Sequence, residues 1–200
     1  MKLYNTLTRQ INTVEPVKPP KVGAYTCGPT VYDYAHVGHW FTYVRADILI
    51  RALKASDFQQ DWVMNITDVG HLVSDSDEGE DKLEKGAKRE GKTAWQIAEF
   101  YAADFIDCMK QLNITFPDHM PRATEHIKEQ IELIQGLESK GYIYQIDDGI
   151  YYDTSKFPKY ADFARLDLDE QQSGARVALN PQKRNASDFA LWKFSPTDAN

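Results

Sequence analysis

Two short apolar runs, residues 22–27 (VGAYTC) and 62–66 (WVMNI), flank one helix-length amphipathic segment, and this arrangement restricts the fold more than anything else in the chain. The first run is cut off by Gly28-Pro29 and reads as a buried strand. A helical pattern follows over about 36–53, where Phe41, Val44, Ile48 and Leu49 recur at helical spacing. The second run reads as another strand. Strand, crossover helix and strand make a βαβ unit, so the two strands should be parallel and the crossover right-handed. Both strands then end on one edge, which is where open α/β sheets bind ligands.

The rest of the chain divides unevenly. Residues 74–92 (SDSDEGEDKLEKGAKREGK) carry only Leu83 and Ala87 as apolar residues, with acids first and bases after. With so little to bury, a mobile, solvated loop is expected. Thr93 should start a strong helix, with Gln96 completing a capping box. Trp95, Ala98, Ala102, Phe105, Met109 and Leu112 form its packing stripe. A further helix is expected from an N-cap at Thr124 to a stop at Gly141, with Ile127, Ile131, Ile134 and Leu137 on one face. Segments 142–146 and 150–153 flank a hairpin turn at Asp148-Gly149. The tail from 171 to 200 is polar and poorly periodic apart from Phe189, Leu191 and Trp192, and no internal repeat is present.

Composition excludes several classes. Twenty-three Lys and Arg against 30 Asp and Glu give a net charge of −7, which argues against nucleic-acid binding by bulk positive charge. No apolar run is long enough to span a membrane, and the first residues lack the apolar core of a secretory signal. Two cysteines, Cys27 and Cys108, make no disulfide framework, and a cytoplasmic location is expected.

The chemistry concentrates in CGPTVYDYAHVGH, residues 27–39. Cys27 ends a strand at the ligand edge. His36 and His39 enter a helix N-terminus three residues apart, hence on one face, and two imidazole donors there suit a phosphate. Gly38 between them would let a flat ring or a sugar approach the backbone. A bare His-x-x-His is more often a surface pair, and a lone Cys27 more often a small buried hydrophobe; location after the first strand of a βαβ unit favours a site. His71 reads as a turn or surface residue, His119 as a loop residue, His126 as a first-turn residue and Cys108 as structural.

HVGH resembles the His-Ile-Gly-His signature of class I aminoacyl-tRNA synthetases, with Val37 in place of isoleucine. The string YTCGPTVYDYAHVGH resembles the cysteinyl-tRNA synthetases in particular. NITDVGH, SDEGEDKLEKGAKREGKT, PRATEHI and RNASDFALWK follow in family order over nearly the whole chain. The resemblance implies an α/β fold: a Rossmann-like nucleotide-binding half-domain with a parallel sheet and an inserted α+β connective domain. The expected boundaries are 1–114 for the first half of the catalytic domain, 115–190 for the insertion and 191–200 for a return to the catalytic domain. It further implies ATP-dependent activation of cysteine, with Mg2+, and transfer to tRNA(Cys) by a monomeric ligase.

By the same resemblance, His36 and His39 are the catalytic pair, and Thr30, His36, Gly38 and His39 bind ATP. Cys27, Gly28, Thr67 and Trp192 bind the amino acid, and Cys27 is the first ligand of a Zn2+ ion. A thiolate-zinc contact would separate cysteine from serine, which pocket shape alone does poorly. The family's other zinc ligands (Cys, His, Glu), its Lys-Met-Ser-Lys-Ser loop and its anticodon-reading domain match nothing in these residues. The chain is therefore expected to be a fragment, inactive or nearly so by itself, holding zinc weakly. Two other readings remain open at this stage: a cysteine:amino-sugar ligase of thiol biosynthesis, and a non-catalytic paralogue binding a nucleotide or a partner.

Overall fold

The computed structural model describes residues 1–70, 82–163 and 180–194, with backbone alone for 82–85. Two short N-terminal strands, β1 (Lys2–Asn5) and β2 (Gln10–Thr13), pair with each other. Then come β3 (Lys21–Thr26), α1 (Val37–Ala55) and β4 (Gln59–Met64), the expected βαβ unit. β3 and β4 are parallel and in register, Lys21 opposite Gln59 through Thr26 opposite Met64.

A third parallel segment extends this sheet. Met64 and Ile66 donate their N–H groups to the carbonyls of His119 (3.0 Å) and Pro121 (2.9 Å), and His119 and Ala123 donate back to Trp62 and Ile66 at 3.1 Å each. His119 thus lies on a strand-like segment beside β4, not in the loop expected for it. Asp118 anchors that segment by accepting the Trp62 N–H at 2.7 Å.

Between β4 and this segment run α2 (Lys82–Glu90) and α3 (Ala94–Gln111). α3 starts as expected: Thr93 Oγ1 accepts from Gln96 N–H at 3.2 Å, and Gln96 Oε1 accepts from Thr93 N–H at 3.0 Å. It stops where Asn113 takes φ +53°, a left-handed position that asparagine tolerates. Its packing face differs from the expected one. Ile97, Ala98, Tyr101, Ala102, Phe105 and Met109 are buried, whereas Trp95 is 66% and Leu112 47% exposed. Adding Ile97 and Tyr101 rotates the stripe away from Trp95, one turn into the helix.

The core of this unit joins both helices to the sheet. Tyr43, Ile50 and Leu53 from α1, Trp62 and Met64 from β4, and Phe105, Met109 and Ile114 form one cluster. Alternation along β4 and the three residues after it buries Trp62, Met64 and Ile66 and turns Val63, Asn65 and Thr67 to the opposite face.

The expected loop over 74–92 needs correcting in its second half, because 82–90 is helical; residues 71–81, His71 included, lie outside the described residues. Ala87 of this helix packs against the buried cluster that includes Val31, Ile66 and Ile97, and charge and close approach add to that contact. Arg89 pairs with Asp33 at 2.9 Å and with Glu90 at 3.0 Å. A Cβ on Gly86 would sit 3.1 Å from the Tyr32 carbonyl and 3.3 Å from Ile97 Cγ2.

Among the described residues, 1–3, 11–70 and 82–126 form one compact unit, and 4–10, 127–163 and 180–194 form a second. The second unit contains α4 (Ile127–Ser139), β5 (Ile143–Ile146), β6 (Gly149–Tyr152) and β7 (Phe189–Lys193). Thr124 is not the N-cap of α4; it lies inside a 3-10 turn, Ala123–His126, which also holds His126. α4 has no fully buried residue, Ile131 being exposed, and Gly141 ends the helical region at φ +73°.

The hairpin exists, but its turn is Asp147-Asp148, since Gly149 already pairs with Ile146. Gly149 is glycine for another reason: a Cβ there would lie 2.3 Å from the Trp192 carbonyl of β7. β7 pairs antiparallel with β6, so this part of the expected tail is a strand. Residues 171–179 and 195–200 lie outside the described residues. Buried Asp188 ties the unit together, accepting from Tyr144 Oη (2.7 Å), Thr154 N–H (2.8 Å), Thr154 Oγ1 (2.8 Å) and Asn185 N–H (2.9 Å).

Candidate functional site

Seven of the eight candidate residues, Cys27, Gly28, Thr30, His36, Gly38, His39 and Thr67, belong to the first unit, at or beyond the carboxyl ends of β3 and β4. The eighth, Trp192, sits on β7 of the second unit, opposite Ile150.

The turn after β3 is stitched to the end of β4. Thr67 N–H donates to the Pro29 carbonyl at 2.9 Å, and Val31 N–H donates to the Thr67 carbonyl at 3.1 Å, so Thr30 and Thr67 lie side by side. Val31, only 1% exposed, plugs this turn into the core. Gly28 admits no substitute: a Cβ would lie 1.7 Å from the Asn65 carbonyl oxygen. Cys27, at the head of the turn, is exposed, which overturns its reading as a small buried hydrophobe. Beneath it, burial pushes the Tyr43 phenol up to about 12, with the Cys27 charge adding to the effect.

The histidine pair caps α1 in an unusual way. His36 is the N-cap, and its Nδ1 accepts from Gly38 N–H at 3.1 Å. His39, at N3, turns its own Nδ1 back to accept from His36 N–H at 3.2 Å. The rings stack with centroids 3.8 Å apart. This is a capping box with imidazoles in place of Ser and Glu. A backbone N–H can only donate, so each Nδ1 must be the unprotonated acceptor and each ring proton sits on Nε2. Two imidazole N–H groups at a helix N-terminus are of a chemistry that suits an anion.

Gly38 serves this cap. A Cβ there would lie 2.9 Å from His36 Cε1, so the flat ring that approaches the backbone is the protein's own imidazole.

Sequence reasoning missed three supports. Asn65 bridges the two halves of the site, accepting from Gly28 N–H (3.0 Å) and the Tyr25 hydroxyl (2.9 Å) and donating to Thr67 Oγ1 (3.0 Å). Asp68, buried just past Thr67, accepts from Thr124 N–H (3.0 Å) and Oγ1 (2.7 Å). Arg89 reaches Asp33 in the loop between Cys27 and His36. Near Arg89, hydrogen bonds from Tyr101, Arg89 and Lys92 hold the Glu90 carboxyl down to about 2. The only signals for the first two were the period-two placement of Asn65 and Thr67 on one face and a Thr after a strand.

For a metal, Cys27 stands alone: among the described residues no three His, Cys, Asp or Glu side chains cluster to hold an ion. Tetrahedral zinc needs at least three protein ligands, so the described residues do not fit a zinc centre by themselves. Cys108 is half-buried on α3, and burial followed by Asp104 and Asp107 raises its thiol, consistent with a structural role.

Comparison with known proteins gives concordant findings. The sequence model of the family "tRNA synthetases class I (C) catalytic domain" matches residues 13–200. The cysteine–tRNA ligase 1 of Burkholderia lata is 50% identical over 198 residues, covering 99% of this chain and 42% of that protein. The cysteine–tRNA ligase of Treponema denticola is 47% identical over 192 residues, covering 96% of this chain and 39% of that protein. The chain thus spans about two fifths of the length of these curated relatives. Among solved structures, Mycobacterium tuberculosis methionyl-tRNA synthetase in complex with methionyl-adenylate aligns at TM-score 0.54 and 21% identity, covering 68% of this chain and 25% of that one. At that identity the likeness is one of fold.

Proposed function

The chain belongs to the class I (C) tRNA synthetase catalytic-domain family, and from that premise we propose that it is the N-terminal portion of a cytoplasmic, monomeric cysteine–tRNA ligase. The first half of the nucleotide fold, expected over 1–114, would run on through residue 126, since 119–123 extends the β3–β4 sheet, and the connective insertion, expected over 115–190, would include β7 up to Lys193, ahead of the return expected from 191. Among the described residues no helix is long and apolar enough to cross a membrane.

In the proposed reaction the cysteine carboxylate attacks the α-phosphorus of Mg2+-bound ATP. A carboxylate O–P bond forms as the bond to pyrophosphate breaks. A terminal ribose hydroxyl of tRNA(Cys) then attacks the activated carbonyl, and AMP leaves. Such phosphoryl chemistry needs positioning and charge stabilisation more than covalent help. One observation carries the proposal: His36 and His39 both use Nδ1 to cap α1, so both carry the ring proton on Nε2 at the helix N-terminus, where an N–H can donate to a phosphate oxygen. Neither acts as a base. Thr30 and Gly38 line the approach to the nucleotide. Gly28 and Thr67 receive the amino and carboxylate groups of cysteine. In the longer polypeptide Cys27 would supply one ligand to a zinc ion, and such an ion would favour a thiol over a hydroxyl.

The test uses the longest polypeptide of the coding frame that contains this chain. It should exchange labelled pyrophosphate into ATP in the presence of cysteine and not of serine, and should charge tRNA(Cys). The double variant His36→Ala, His39→Ala should lose exchange by about 10²-fold or more. Transfer of cysteine to an amino sugar in preference to tRNA would overturn the proposal.

A further inference from the structure

Asn65 stands where the Cys27–Gly28 turn meets Thr67, and its bonding pattern fixes more than the backbone. Its Oδ1 accepts from Gly28 N–H at 3.0 Å and from the Tyr25 hydroxyl at 2.9 Å, while its Nδ2 lies 3.0 Å from Thr67 Oγ1. The Gly28 N–H can only donate, so it settles which end of the amide is oxygen. The other end is therefore the NH2 group, which can only donate, and Thr67 Oγ1 must accept from it. A hydroxyl has a single proton, and with its oxygen accepting from Asn65 that proton is turned toward another acceptor. The polarity of one backbone N–H is relayed through Asn65 into the direction of the Thr67 hydroxyl.

We infer that Asn65 is a positioning residue: it commits the Thr67 hydroxyl to donate, and so makes the ground beside Gly28 selective for a carboxylate. This rests on the proposed amino-acid site and names the group that sets its preference for an anionic substrate end. Asn65 touches no ligand and acts through Thr67. Aspartate at position 65 would keep an acceptor for Gly28 and Tyr25. Its second oxygen, however, would capture the Thr67 proton in place of the substrate.

The experiment measures affinity of the isotope-labelled chain for L-cysteine and for cysteamine, which is cysteine without its carboxylate. The readout is the shift of the Gly28 and Thr67 amide resonances. Wild type should prefer cysteine. Asn65→Asp should lose that preference by about tenfold or more with cysteamine affinity unchanged. Thr67→Val should lose the same preference and Thr67→Ser keep it. The double variant Asn65→Asp, Thr67→Val should be no worse than Thr67→Val alone, since Asn65 acts through the hydroxyl. Additive losses would mean that the new carboxylate repels the ligand directly, and would overturn the inference while sparing the site; so would an Asn65→Asp chain that still prefers cysteine. A wild-type chain in which neither ligand shifts Gly28 or Thr67 overturns the site reading itself. Should Asn65→Asp fail to fold by thermal melt, the threonine pair decides: preference retained in Thr67→Val overturns the inference, and preference lost there but kept in Thr67→Ser supports it.

Discussion

Each imidazole of the histidine pair has two jobs that different atoms perform, so substitution can separate them. His36 Nδ1 caps α1 through Gly38 N–H; Nε2 is the proposed phosphate donor. Asparagine supplies the cap oxygen but no ring donor at that reach. His36→Asn should therefore melt within about 0.5 kcal/mol of wild type, whereas His36→Ala should lose about 1 kcal/mol of stability. Both should cut pyrophosphate exchange in the longer polypeptide equally. A His36→Asn variant that keeps full exchange would remove His36 from the chemistry. Gly28 makes a harder prediction. With a Cβ placed 1.7 Å from the Asn65 carbonyl, Gly28→Ala must move backbone, and urea denaturation should show a loss of about 3 kcal/mol or more. At this scale the sequence displayed residue types and spacing, enough to single out Cys27, Gly28 and the histidines. It did not display which ring nitrogen accepts, nor Asn65, because an asparagine at a strand end carries no periodic signal and two of its three partners are 37 and 40 residues away.

Elements were legible where their determinants are local. The capping box at Thr93 and the parallel β3–β4 pair follow from neighbouring residues and an apolar pattern. α2 was illegible because its described residues find their partners far along the chain: Arg89 reaches Asp33, 56 residues away, Gly86 lies against Tyr32, and Ala87 packs on a cluster that includes Val31 and Ile66. β7 was hidden in a polar tail because the Asp188 that anchors it is a charged residue, and burial of charge cannot be read from composition. Asp188 also makes a pH prediction. Burial pushes its carboxyl up, but donors from Thr154, Tyr144 and Asn185 outweigh burial and hold it below its ordinary value. A group depressed in the fold stabilises above its unfolded pKa, about 3.9, and loses that contribution as pH falls through the lower folded value. The second unit should therefore keep its near-ultraviolet tyrosine signal at pH 6 and weaken progressively below about pH 4. Asp188→Asn should lower stability at pH 6 by about 2–3 kcal/mol and flatten this acid dependence. An unchanged acid profile in that variant would assign the pH sensitivity to other carboxylates.

For the whole molecule, Cys27 and the histidine pair belong to one unit and Trp192 to the other, while the relatives extend well beyond the matched stretch. Metal affinity is the property that this partition controls most sharply. Zinc binding strengthens steeply with ligand number because each thiolate or imidazole must be desolvated and held at a fixed distance, and a single exposed thiol supplies neither charge nor geometry. Cys27 is exposed and, among the described residues, has no companions that could close a coordination sphere. The purified 200-residue chain should thus carry well below one zinc per molecule by elemental analysis after gel filtration, and Cys27→Ser should leave that residual content nearly unchanged. The longer polypeptide should bind zinc stoichiometrically and lose it on the same substitution. Stoichiometric zinc in the 200-residue chain would mean that Cys27 finds partners among residues outside those described, and that this portion builds the metal centre by itself. Absence of zinc from the longer polypeptide would instead remove Cys27 from metal binding and leave cysteine selection to groups such as Thr67 and Gly28.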